Sequence, residues 1–155
     1  MKIRINQLTN YNCILLLYNI YNDHLYDNLY QISTCLTWSI FYSFHFSVLL
    51  NKDVFKNLRK RNNISFITFH MGNIVLHILP YCYVLTYSPN NMNITNSLYA
   101  ILLNVLWCYI STNGSMDLSN LYISLSRDDL RKLYFISFLS SLLCPVYYNI
   151  SLSIL

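Results

Sequence analysis

His70, Asn73, His77 and Tyr81 follow one another at spacings of three, four and four residues, so on an α-helix they share one face of an otherwise apolar stretch. Imidazole, amide and phenol groups are costly in hydrocarbon, and they turn toward a bundle interior, a cavity or a partner. This face is the leading candidate site. His45 and Asn104, in the apolar runs before and after it, are expected to point at the same interior. Zinc would need at least three converging donors at about 2.0 to 2.1 Å, and no carboxylate lies in any apolar run to help, so no metal is expected. A proton or quinone site would use histidine as the titrating group, but intramembrane relays normally include Asp or Glu. No cofactor is expected either. The chemistry that remains is neutral hydrogen bonding between helices, at roughly 1 kcal/mol per bond.

A hydroxyl nucleophile activated by an imidazole on a neighbouring helix is the enzymatic alternative. Its candidate residues are Thr37, His70 and His77. Thr37 on one apolar run and the Asn-x-x-x-His-x-x-Pro stretch from Asn73 to Pro80 on the next loosely resemble the androgen-induced family of membrane Thr/His lipid hydrolases. That resemblance would imply lipid hydrolysis with Thr37 as nucleophile and a histidine as base. No oxyanion-stabilising feature accompanies it, and an accessory protein without enzymatic activity is the first expectation.

A third pattern concerns packing. Ser39, Ser43 and Ser47 recur every four residues, and Ser137 and Ser141 repeat the spacing later in the chain. Small residues at this interval let helix backbones approach closely inside lipid. The competing reading is that each hydroxyl bonds back to the preceding turn of its own helix.

The elements that carry these residues are four uncharged apolar runs, at residues 32–50, 64–87, 94–112 and 133–155. Each is long enough to cross a hydrocarbon core of about 30 Å as a helix. Only 10% of the 155 residues are charged while 55% are hydrophobic, a balance that excludes an ordinary soluble domain. The expected fold is all-α: a polytopic membrane helical bundle of four transmembrane helices, or five if residues 8–22 also span. Residues 1–31 are expected to form a Tyr-rich amphipathic or marginal membrane segment ahead of a bundle over 32–155, because the apolar core from Cys13 to Tyr18 is short and flanked by asparagines. Pro80 cannot donate to the carbonyl of Leu76, so a kink is expected there.

Between the first two runs, Lys52, Lys56, Arg59, Lys60 and Arg61 stand against the single Asp53, leaving +4, which equals the formal net charge of the chain. Short basic loops stay on the cytoplasmic or matrix side, so residues 51–63 are expected there, residues 88–93 opposite, and Arg127, Arg131 and Lys132 on the basic side again. The same cations can hold lipid headgroups at about 1 kcal/mol each. They accompany no nucleic-acid motif, so no nucleic-acid partner is expected.

Cys13, Cys35, Cys82, Cys108 and Cys144 are scattered singly, without ligand spacing, and read as small buried hydrophobes. Glu is absent, Ala100 is the sole alanine, and Asn, Ile, Tyr and Phe are abundant, a bias expected of an AT-rich viral, organellar or parasite genome. The function expected is that of a small multi-pass integral membrane protein of structural or accessory type. Its expected partners are membrane lipids and other transmembrane helices, in a larger complex or a homo-oligomer.

Overall fold

The computed structural model describes residues 8–23, 27–51, 53–87, 89, 91–116 and 125–154, with the side chains of 55, 58, 61, 62 and 152–154 left aside. Lys2, Arg4, Lys52 and the Arg61 side chain therefore lie outside the described residues. The chain is helical: α1 (Leu8–Tyr21), α2 (Asp27–Leu50), α3 (Val54–Asn62), α4 (Phe66–Asn73), a π-helical turn (Ile74–Ile78), α5 (Leu79–Thr86), α6 (Ile94–Ser111) and α7 (Arg127–Ile154). No strand occurs among the described residues. Three of the helices, at Asp27–Leu50, Ile94–Ser111 and Arg127–Ser151, are long and apolar enough to cross a membrane.

The remaining apolar run, 64–87, does not form one regular α-helix. It starts where Ser65 caps α4 by accepting from the Thr68 backbone N–H at 3.1 Å, and it widens into the π turn directly before Pro80. Proline has no N–H for the Leu76 carbonyl, and its ring crowds that carbonyl in a regular helix. The chain answers by lengthening the bond one position on, so that the Leu79 N–H reaches the Ile74 carbonyl. The thiol of Cys13 on α1 then donates to the Leu76 carbonyl at 3.8 Å.

α2 is the central helix and packs against α1, α5, α6 and α7. Two apolar clusters mark its ends. Near its C-terminus, Val54, Cys108, Leu125, Leu130 and Leu133 pack with Phe46 and Leu50, which places the basic helix α3 and the basic start of α7 at one end of the bundle. Ser126 caps that start: its hydroxyl accepts from the Asp129 N–H at 3.1 Å and donates to the Asp129 carboxylate at 2.8 Å. The Ser126 and Lys132 bonds hold the Asp129 carboxyl below its ordinary pKa. At the opposite end the Tyr30 hydroxyl donates to the Tyr87 carbonyl, and the Asn93 N–H reaches the Gln31 side chain at 2.7 Å. Tyr87 and Asn93 thus lie across the bundle from both basic segments.

α1 is too short, at 14 residues, for a full span. It stands alongside α2. Asn12 faces Ser33 and Thr37, the latter ten residues or about 15 Å into α2.

Candidate functional site

Beside its apolar core the chain buries a set of polar groups, and it turns many large apolar side chains outward. On α1, Asn12 and Asn19 are buried while Ile14 and Leu17 are 65% and 64% exposed. On α6, Asn96, Ser97 and Ala100 face inward while Leu98, Leu102, Leu106 and Ile110 face out. Buried amides and hydroxyls need partners, since each left alone costs about 1 to 3 kcal/mol, and they find them in three polar seams.

The first seam joins α1 to α2. The Asn12 amide donates to the Thr37 hydroxyl at 2.8 Å and its carbonyl accepts from Ser33 at 3.0 Å, while Thr37 donates to the Ser33 carbonyl at 2.9 Å. The Thr37 proton is therefore committed to backbone. Among the described residues no imidazole bonds to Thr37, whose partners are Asn12 and the Ser33 carbonyl, so this seam does not build the pairing with His70 or His77 that a hydrolase would require.

The second seam joins α2, α6 and α7 at mid-bundle. Asn104 donates to Ser39 at 3.1 Å and to Ser137 at 2.6 Å, the two hydroxyls lie 2.5 Å apart, and the Cys108 thiol points at the Asn104 carbonyl oxygen at 3.8 Å. Asn104 is thus engaged by serines and a thiol, away from the histidines it was expected to join. Within the serine stripe, Ser39 and Ser47 are fully buried; Ser47 bonds back to the Phe44 carbonyl at 2.6 Å, and the Ser43 hydroxyl is buried without a partner. Both readings of the stripe find a residue: Ser39 bonds across helices, Ser47 bonds back.

The third seam closes the end opposite the basic loops. Gln31 on α2 donates to Asp27 at 2.6 Å and accepts from the Asn96 amide at 2.8 Å, and Asn96 also donates to Asn28 at 3.0 Å. Trp38 and Tyr148 add a hydrogen bond of 3.4 Å, and the Tyr148 hydroxyl donates to the Val84 carbonyl at 2.7 Å.

The histidine face is aromatic in its contacts. His77 stacks on Phe44 with ring centres 3.9 Å apart, Tyr81 stacks on Phe41 at 3.8 Å, and His45 meets His77 edge-on at 6.4 Å. Tyr81 also shares a hydrogen bond of 2.7 Å with Tyr42. His45 bonds to the Phe41 carbonyl at 2.8 Å on its own helix, and His70 lies against Phe66 and Phe69. His45, His77 and Tyr81 are brought together; His70 sits among its own neighbours on α4. The Asn73 carbonyl oxygen and His77 Nδ1 are buried without a hydrogen-bond partner. No group of three or more His, Cys, Asp or Glu is placed to hold a metal among the described residues.

Sequence reasoning missed the asparagines of α1 as site residues. Asn12 and Asn19 are seven apart with Leu16 between them, a helical face that the spacing could have disclosed. Gln31 and Asn96 were missed as well, since only the fold pairs them across α2 and α6. Comparisons with protein-family models, with curated proteins and with solved structures found no match for this chain.

Proposed function

We propose that this chain is a small multi-pass integral membrane protein of structural or accessory type, with four spans formed by α2, the continuous run from α4 through the π turn to α5, α6 and α7. The observation that carries the reading is the reversed polarity: buried asparagines and serines bonded between helices, and large apolar side chains turned outward. A soluble protein would lose stability by exposing those faces, whereas hydrocarbon tails solvate them. The 21 residues from Phe66 to Thr86 extend about 30 Å, enough for a span.

The partners this reading implies are lipids and other transmembrane helices. Lys56, Arg59 and Lys60 on α3 share an end of the bundle with Arg131 and Lys132, beside an open cavity of about 370 Å³ lined by Phe46, Phe135 and Ile136. Cations above an apolar groove suit an anionic headgroup and its acyl chain. The hydrogen bonds of Thr37 favour this structural role over lipid hydrolysis.

Cysteines introduced at Asn57 and Asn91, in a background whose five native cysteines are serine, test the arrangement in sealed vesicles. A membrane-impermeant thiol reagent is expected to label one of the two from outside and the other after permeabilisation. Equal labelling of both from outside, or release of the protein by alkaline carbonate, would overturn the reading.

A further inference from the structure

Three sulfur-bearing residues from distant parts of the chain belong to one buried cluster, with Cys144 in contact with the other two: Cys35 in α2, Met92 in the turn ahead of α6, and Cys144 in α7. Both cysteines are fully buried and Met92 nearly so. The Cys144 sulfur lies 3.9 Å from the Met92 sulfur, and the Cys144 thiol also contacts that of Cys35. The Asn149 amide, donating to the Met92 carbonyl at 3.0 Å, fixes the Met92 backbone against α7.

We propose that this trio is a binding site for a soft monovalent metal ion, Cu(I). Three sulfurs around one ion at metal–sulfur distances of about 2.3 Å stand about 4.0 Å apart at the corners of a triangle. The Cys144–Met92 separation already has that value. Thiolate and thioether donors select Cu(I), whereas a structural zinc site takes four ligands and calcium or magnesium takes oxygen. Binding releases the two thiol protons to water in exchange for one Cu⁺, which the two thiolates and the neutral thioether then hold; no electron is transferred. Met92 belongs to the turn at the end of the bundle opposite the basic segments.

Buried thiols also serve as small apolar groups, and the other cysteines separate the two roles. Cys13 points at the Leu76 carbonyl and Cys108 at Asn104. The test is a titration of the full-length protein in detergent, kept anaerobic and reduced, with Cu(I) in competition with a chromophoric Cu(I) chelator. One ion per chain with an all-sulfur shell by X-ray absorption is the expected result. Cys35→Ser and Cys144→Ser should lose the ion, Met92→Leu should weaken it by about tenfold or more, and Cys13→Ser and Cys82→Ser should retain it. Met92→Leu keeps the apolar volume, so it decides the matter if a serine variant loses helicity by circular dichroism. Failure of the native chain to hold copper against the chelator would overturn the proposal. So would equal binding by folded Met92→Leu, or a shell containing nitrogen or oxygen.

Discussion

Replacing Asn104 with leucine removes the α6 member of the polar node that joins α2, α6 and α7 at mid-bundle. Its amide donates to Ser39 and to Ser137. An interhelical hydrogen bond in a membrane protein contributes about 0.6 kcal/mol on average and up to about 1.7, so the two together put the loss at about 1 to 3 kcal/mol. The lower half of that range is expected, because Ser39 and Ser137 keep each other as partners at 2.5 Å and neither is orphaned. Leucine keeps the branched heavy-atom shape with somewhat greater bulk, so no cavity adds to the cost. The measurement is reversible unfolding in mixed micelles as the fraction of denaturing detergent rises, with Ser137→Ala and the double variant completing a cycle. A coupling of about 0.5 kcal/mol or more between positions 104 and 137 is expected for groups in direct contact. A loss under about 0.5 kcal/mol with additive single variants would show that the node is a packing coincidence and that polar burial does not order these helices.

The other seams give sharper contrasts. Ser43→Ala removes a buried hydroxyl without a partner and should leave stability unchanged or raised, while Ser43→Leu should cost about 1 to 3 kcal/mol by overpacking; equal effects of the two would place Ser43 against lipid. His77→Phe keeps the stack on Phe44 and removes the unpartnered Nδ1, so the same unfolding assay should register no loss. A loss above about 1 kcal/mol would mean that the imidazole is bonded after all. Thr37→Val should lower stability by about 1 kcal/mol by orphaning the Asn12 amide, with no fluorophosphonate labelling of the native protein at this position. Labelling at Thr37 that disappears in a stably folded His77→Asn variant would restore the hydrolase reading.

The helices α2, α6 and α7 were legible in the sequence because their signal is one-dimensional: an uncharged run of membrane length needs no partner to be recognised. The basic segment 51–63, expected as a loop, instead carries the helix α3. Ends were legible where a short motif encodes them, as in Ser126-x-x-Asp129, a capping box that spacing alone would have disclosed. Which polar residues meet was not. The expectation that Asn104 joins the histidines assumed one shared interior, but α6 packs on α2 and α7, and α2 presents different faces to α6 and to α5. Ser39 and Phe41 are two residues apart, hence on opposite sides of the helix; one meets Asn104 and the other stacks on Tyr81. A single sequence carries no information on how a central helix distributes its neighbours around itself.

Pro80 marks the boundary between the two kinds of information. The freed carbonyl of Leu76 follows from proline chemistry alone and was expected at that residue. The form of the response did not follow: a kink, a bound water or a widened turn would each relieve the same clash. The chain takes the widened turn, and the Cys13 thiol covers the Leu76 carbonyl from α1. A thiol is a weak donor, yet at this part-buried carbonyl it supplies the partner that the proline cannot. The short first helix is thereby more than a surface attachment. Through Asn12 on α2 and Cys13 on the π turn, two adjacent residues of α1 bond to polar groups of the helices beside it.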